Sequence, residues 1–419
     1  MIEAIERTRI LFGLFVFSCA FGFLAQHAFA IQMQAEQVRL TGPEKITFHS
    51  EVLGEERTIL VRVPEEYAEA APRKYPVLYV LDGEYFFRQA VAAVQFNSEL
   101  GYDRGQHPVP QMIVVGIVNV DRDRDYTPTH APSQSGGRLS FPTSGGAKAF
   151  LKFLETEVFP LVETRYRAYP DRILSGWSLG GLFTVHTYLY NPSLFSRCLA
   201  ISPSMWWDDA LFVKNTKARL DKGDSLSMKP LVITLGSLEG GDMNLSVRKG
   251  FVPLLMSLDQ SKLTFTFTEI TNEGHNYVPY KAYYDGLVAA FADWRVPAEV
   301  LGEGLAAVEK FYRVLADRYG CPVDVPLSVY LQLSTTLQDI ESALEAARRA
   351  VEEYPYSSLA HAALGRLQAM AGDNTAAVKS LKKALEIELA RPVMQSENLK
   401  AIRGRLRGLE GRAAVDGGE

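Results

Sequence analysis

The side chain best placed to act as a nucleophile lies in Gly176-Trp177-Ser178-Leu179-Gly180-Gly181. An apolar run, Arg172-Ile173-Leu174-Ser175, precedes it, and a helical run, Leu182-Phe183-Thr184-Val185-His186, follows. Strand, sharp Gly-x-Ser-x-Gly turn and helix is the context that lifts a serine hydroxyl out of the backbone and presents it to a substrate. The glycines remove Cβ atoms that would collide with the neighbouring strand and helix. A glycine-rich turn around a buried serine is the competing reading of the same six residues, so the decision rests on whether a base, an acid and an oxyanion site accompany Ser178.

A serine nucleophile needs a base within hydrogen-bond reach, and the base needs an orienting acid. In an α/β sheet these follow the serine in the order acid, then histidine. Of seven histidines, His27 lies in an apolar N-terminal stretch, His49 on the first strand, His107 in a Pro-rich turn and His361 in a helical region. His186, on the helix after the serine, reads as a packed and satisfied side chain. His130 sits in a long polar loop that could line a site. His275, in Thr271-Asn272-Glu273-Gly274-His275-Asn276-Tyr277 directly after the last strand, is the expected base. After the strand Leu231–Leu235, the loop Gly236-Ser237-Leu238-Glu239-Gly240-Gly241-Asp242 offers two carboxylates. Glu239 is preferred because it is nearer the strand end. Asp242 is the second choice, and either could cap the helix that begins near Asn244. Two backbone amides must receive the oxyanion. They are expected from Leu179 and from Gly83, in the Asp82-Gly83 turn where glycine permits close approach. No histidine or cysteine spacing matches a metal site, so neither metal nor cofactor is expected.

The elements that carry these residues follow from periodicity. Ile46–Val52 and Arg57–Val63 alternate around Gly54 and read as a hairpin. Tyr75–Leu81, Met112–Val118, Cys198–Ser202, Leu231–Leu235 and Leu263–Ile270 are apolar runs of strand length, with helical stretches between them such as Tyr85–Phe96, 146–166 and Val247–Leu258. That alternation implies an α/β fold with a mostly parallel sheet covered by helices on both faces. Residues 119–146 have no period and read as a long loop, functional or mobile. Within it Arg122 and Arg124 could meet an anionic substrate or simply be solvated. Trp206 and Trp207, after a strand end, could wall the substrate pocket or pack in the core. Beyond Pro297 the chain becomes rich in Ala, Leu and Glu. Leu331 and Gly365, Ala343 and Ala377, and Ala350 and Ala384 repeat at the spacing of a tetratricopeptide unit. The expected organisation is a signal segment at 1–30, a catalytic domain at 40–296 and a small helical domain at 297–404. The latter would hold two repeats, at about 324–357 and 358–391, packed on a helix Val300–Tyr319 or on the catalytic domain, with a frayed tail after Gly404; a plain helical bundle with coincidental spacing is the alternative.

Length and charge set the outer limits. At 419 residues, 47% of them hydrophobic and with a net charge of −5, the chain is globular and lacks the basic surface that nucleic acid or an anionic membrane would need. Arg7 and Arg9 precede an apolar run that ends at Ala28-Phe29-Ala30, the pattern of a cleaved secretory signal and of a periplasmic or secreted protein; the alternative is an uncleaved anchor. After cleavage Cys198 and Cys321 remain. Cys198 reads as a buried core thiol, and one bridge between the two is the alternative.

With these residues in place, the sequence resembles the putative-esterase family of α/β-hydrolases, which includes the enterobactin and salmochelin esterases and, more distantly, S-formylglutathione hydrolases and mycolyltransferases. The resemblance spans roughly residues 40–295. It rests on Val80-Leu81-Asp82-Gly83, Arg124-Asp125-Tyr126-Thr127-Pro128-Thr129, Phe150–Leu154 with Tyr166-Arg167, Gly176–Phe183, Ile201–Trp207 and Gly274-His275, in that order. It implies an α/β-hydrolase fold, Ser178 as nucleophile and His275 as general base, and its Gly-x-x-Glu pattern supports Glu239, although some members work with a Ser-His dyad. Trp177 departs from the His or Tyr common at that position and is expected to affect packing rather than mechanism. The appended repeats are a second departure. The expected function is a serine carboxylic-ester hydrolase acting on siderophore-type or other small-molecule esters, with a protein partner for the repeats. An acyltransferase on the same serine and a non-catalytic binding protein organised by the repeats are the alternatives.

Overall fold

Eight strands form one sheet, in the order Glu44–Ser50, Glu55–Arg62, Ile113–Ile117, Tyr75–Val80, Ala168–Trp177, Arg197–Ile201, Leu231–Gly236 and Phe265–Ile270. The computed structural model describes residues 42–416 except 65–66, 68–72, 101–105, 135–138, 228, 259–263, 321 and 391–396. The expected signal segment, Cys321 and Leu263 lie outside the described residues. β1 (Glu44–Ser50) and β2 (Glu55–Arg62) make the antiparallel hairpin read from their alternation, and β2 also runs antiparallel to β4 (Ile113–Ile117). From β4 across to β10 (Phe265–Ile270) every neighbour is parallel, through β3 (Tyr75–Val80), β7 (Ala168–Trp177), β8 (Arg197–Ile201) and β9 (Leu231–Gly236).

The continuous apolar runs of the central strands are explained by burial on both faces. Along β3, Tyr75, Val77, Tyr79 and Leu81 enter one core and Leu78 and Val80 the other, as period-two geometry requires. Over the first face lie the long helix 147–165, the helix that follows Ser178 and the helical run 241–256, contributing Phe150, Phe153, Leu182, Phe183 and Phe251. Over the second face lie α1 (Gly83–Gln95) and the helix Val278–Ala290, contributing Phe86, Phe87, Tyr283 and Leu287. Cys198 is a free, buried thiol on β8, and burial pushes its pKa up to about 12.

Three readings are corrected. Residues 119–146 are not irregular throughout. They form a short helix α2 (Arg122–Tyr126) and a two-stranded ribbon, β5 (Ser133–Gln134) with β6 (Leu139–Ser140). Asp125, Tyr126 and Thr127 are fully buried, and the segment is too short and too polar for periodicity to reveal this. The helix expected at Val300–Tyr319 is broken in two, Ala298–Gly302 and Leu305–Tyr319, by Gly304 at φ 94°. The tail after Gly404 is helical rather than frayed: Glu397–Asp416 is one helix, and its Ile402, Leu406 and Leu409 pack on Ala377, Leu381 and Ala384.

The chain from Pro43 onward forms one compact unit. Beyond Pro297 the described residues that form regular elements are all helical, in the successive helices Leu327–Thr336, Ile340–Glu353, Ser358–Met370 and Asn374–Ala390 before the last. A Cβ on Gly365 would lie 2.8 Å from Leu381 Cγ, so the small residue lets the third and fourth of these helices approach closely. Val308, Tyr312, Val329 and Tyr330 share one core with Leu287, Phe291 and Trp294 of the sheet-covering layer.

Candidate active site

Ser178 stands at the end of β7 with φ 58° and ψ −114°, ahead of the helix Leu179–Tyr190. A non-glycine residue holds such a conformation only when its surroundings impose it. Here its amide donates to Ile201 O at 3.0 Å, tying the turn to the end of β8. The glycines are not equivalent. A Cβ on Gly176 would lie 2.3 Å from Gly180 O, and one on Gly181 would lie 2.9 Å from Ile201 O, whereas one on Gly180 would approach Asp82 Oδ2 no closer than 3.3 Å.

His275 lies in the turn after β10 and brings Nε2 to 3.0 Å from Ser178 Oγ. Its Nδ1 is 2.6 Å from Glu239 Oε2. A carboxylate only accepts, so Nδ1 carries the proton and Nε2 is left as the acceptor for the serine hydroxyl. Glu239 is buried in the loop after β9. Its Oε1 accepts from Ser202 Oγ at 2.6 Å and from the Gly236 amide at 2.8 Å. Burial by itself raises its pKa, but the hydrogen bonds from His275, Ser202 and Gly236 outweigh burial and hold the carboxyl below its usual value. Asp242 is exposed in the first turn of the following helical run, away from this chain of bonds. Ser202 and Ser204 were not singled out from sequence. The first anchors the acid, and the second places Oγ 3.2 Å from Ser178 Oγ. Both fall in the Ile201–Trp207 motif, whose position after a strand beside the serine was the available signal.

Leu179 and Gly83 each begin a helix, where first-turn amides have no intrahelical acceptor and the helix dipole is positive. Gly83 must be glycine because a Cβ there would lie 2.7 Å from Gly116 C on β4. Asp82, at φ 55°, fixes the turn: its Oδ1 accepts from Arg122 Nε at 2.6 Å and from Asn119 Nδ2 at 2.7 Å.

Two of the expected substrate contacts have partners within the protein. Arg124 is held by two carboxylates. It donates through Nη1 and Nη2 to Glu55 and through Nε to Asp125, clamping α2 to β2, and the Glu55 bonds foremost raise its pKa. Trp207 is fully buried, with Nε1 donating to Thr129 Oγ1 at 3.0 Å and its ring edge-on to Phe141. Trp206 is half-buried and lines a cavity of about 650 Å³ with His130, Asp208, Asp242 and Leu245. The chain bends sharply at this rim, where Asp208, Asp209 and Ala210 take φ of 50°, 54° and 55°. His186 is packed against Tyr190 and Phe212, but its Nδ1 finds no partner among the described residues, and burial lowers its pKa to about 4. No group of three or more metal-ligating side chains and no helix able to cross a membrane occurs among the described residues.

The chain has relatives among known proteins. Residues 50–280 match the family model described as "Putative esterase". The ferri-bacillibactin esterase BesA of Bacillus subtilis is 31% identical over 241 residues, covering 53% of this chain and 80% of that protein. The siderophore triacetylfusarinine C esterase of Aspergillus fumigatus is 30% identical over 172 residues, covering 39% of this chain and 56% of that protein. An IroE-like serine hydrolase from Shewanella oneidensis superposes with a TM-score of 0.61 at 28% identity, over 78% of this chain and 99% of that one. A match over more than half the chain, on an α/β-hydrolase sheet with a serine elbow at the expected place, makes this chain a member of the "Putative esterase" family and a serine carboxylic-ester hydrolase.

Proposed function

We propose that Ser178, His275 and Glu239 form the catalytic triad and that the enzyme cleaves siderophore-type esters. Ser178 Oγ attacks the ester carbonyl while His275 Nε2 takes its proton, and Glu239 holds the imidazole in the tautomer that permits this. The amides of Leu179 and Gly83 receive the oxyanion. The tetrahedral intermediate collapses as His275 returns the proton to the leaving alcohol. Water, deprotonated by the same imidazole, then hydrolyses the acyl-enzyme. The observation that carries this reading is the unbroken chain of 2.6 Å and 3.0 Å contacts from Glu239 through His275 to Ser178. The substrate class is supported by the two relatives named for siderophore esters.

The domain reading goes with it: a catalytic domain at 40–296 and helices at 297–404 built as two tetratricopeptide-like units, offered to a protein partner. The spacing of Ala343, Ala350, Ala377 and Ala384, each buried, supports the repeats. The N-terminal Arg-flanked apolar stretch supports a periplasmic or secreted location. The test is a panel of esters given to the purified protein: ferric and iron-free siderophore esters, p-nitrophenyl butyrate, and each again with an added acceptor alcohol. Hydrolysis of the siderophore esters with faster turnover than the simple ester is expected. Turnover of the simple ester alone would reject the substrate class, and acyl transfer to the alcohol as the main product would favour a transferase.

A further inference from the structure

Trp177 was expected to affect packing alone. Its surroundings say otherwise. The loop 271–277 carries His275 and contains no buried residue. On one side it leans on the loop of the acid: Leu238 N donates to Glu273 O at 3.1 Å, and Asn272 N donates to Ser237 Oγ at 2.8 Å. On the other side its support is Trp177. The indole Nε1 donates to His275 O at 2.9 Å, and the indole ring lies against the imidazole at 4.7 Å between centroids, tilted by 36°. The indole is itself held. Phe86 meets it edge-on at 5.4 Å, and the Arg122 guanidinium lies 5.5 Å from its ring. Arg122 also donates to Trp177 O at 3.0 Å while bound to Asp82, so the brace reaches the oxyanion turn.

We infer that Trp177 is a positioning residue that sets the imidazole over Ser178 by two contacts at once, one to the backbone and one to the ring. The inference rests on the assignment of Ser178 and His275 as nucleophile and base. Nucleophile and base are 97 residues apart in sequence, and the indole of the residue next to the nucleophile contacts the base directly. A displacement of the base of order 1 Å costs about 10²-fold in rate, so the contact acts on turnover rather than on substrate affinity.

The test compares wild type, Trp177→Phe and Trp177→Ala by kcat and KM on p-nitrophenyl butyrate, by the rate of fluorophosphonate labelling and by thermal unfolding. Phe keeps a ring against the imidazole and loses the N–H donor, so kcat falls about three- to tenfold, as for one lost hydrogen bond. Ala loses both contacts, and kcat falls about 10²-fold with KM within about twofold. Labelling slows in the same order. A folded Ala variant with wild-type kcat, or a loss that falls on KM with kcat unchanged, overturns the assignment. If the Ala variant does not fold, the Phe variant decides alone, and an unchanged kcat there overturns it. A wild type inert to both ester and probe overturns the catalytic reading of the site itself, which an active wild type with unaffected variants would leave standing.

Discussion

Glu239 shows how a single side chain is committed to a task. Both its oxygens are occupied, one by His275 and the other by Ser202 and the Gly236 amide, so the carboxylate can neither rotate nor accept a proton easily. Glu239→Gln preserves the shape and removes the acceptor that fixes the histidine tautomer; kcat falls roughly 10²–10⁴-fold, while Asp242→Asn stays near wild type, as steady-state kinetics on one ester will show. The same pair carries a pH signature. The folded pKa of Glu239 lies below the ordinary 4.5, so its contribution to stability is complete above pH 4.5 and is lost as the pH falls through the folded value. Denaturant midpoints measured below pH 4.5 drop less steeply in Glu239→Gln than in wild type. At this scale the three residues proposed as the triad can be picked out because chain order and strand ends constrain where such residues fall. The partners of Arg124 and Trp207 cannot be picked out in this way, because Glu55 and Phe141 lie on other segments and only the folded chain brings them together.

At the scale of elements, the turn holding Ser178 is a steric device whose parts can be separated. Gly176 is pressed against Gly180 O, and Gly181 against Ile201 O and Pro203 Cα, whereas Gly180 faces the softer boundary of Asp82 and Leu81. Gly176→Ala therefore destabilises by more than about 3 kcal/mol or prevents folding, and Gly180→Ala costs less than about 1.5 kcal/mol. Urea unfolding of the two variants checks the order, and equal losses would contradict this account of the elbow. Strand and helix positions followed the periodicity closely, because buried parallel strands and the amphipathic helix 147–165 write their environment into the sequence. The misses have two causes. α2 and the helix Glu397–Asp416 are polar segments whose structure is decided by tertiary contacts such as Ile402 on Leu381, and the break at Gly304 is set by a left-handed backbone that a helical period does not show.

For the whole molecule, the helices after Pro297 are joined to the sheet layer by more than a linker. Arg197 is sandwiched between Phe291 and Tyr319, and Arg73 pairs with Asp324 while lying over the Tyr354 ring. The composition shift at Pro297 marks a change of element type, yet one core crosses it, which no local period could reveal. Trp177, Trp206 and Trp207 lie in the sheet region, so the fluorescence of a Trp294→Phe variant reports that region, whereas far-UV circular dichroism weighs the helices. Equilibrium unfolding followed by the two probes gives coincident transitions; separated midpoints would mean that the helices fold independently. Everything else depends on whether Ser178 is the nucleophile. The direct measurement is intact-mass and peptide analysis of the full chain after treatment with a fluorophosphonate. One adduct per chain, located on Ser178 and absent from Ser178→Ala, is the predicted result. No adduct on the wild type, or an adduct that persists in the Ser178→Ala variant, would contradict it.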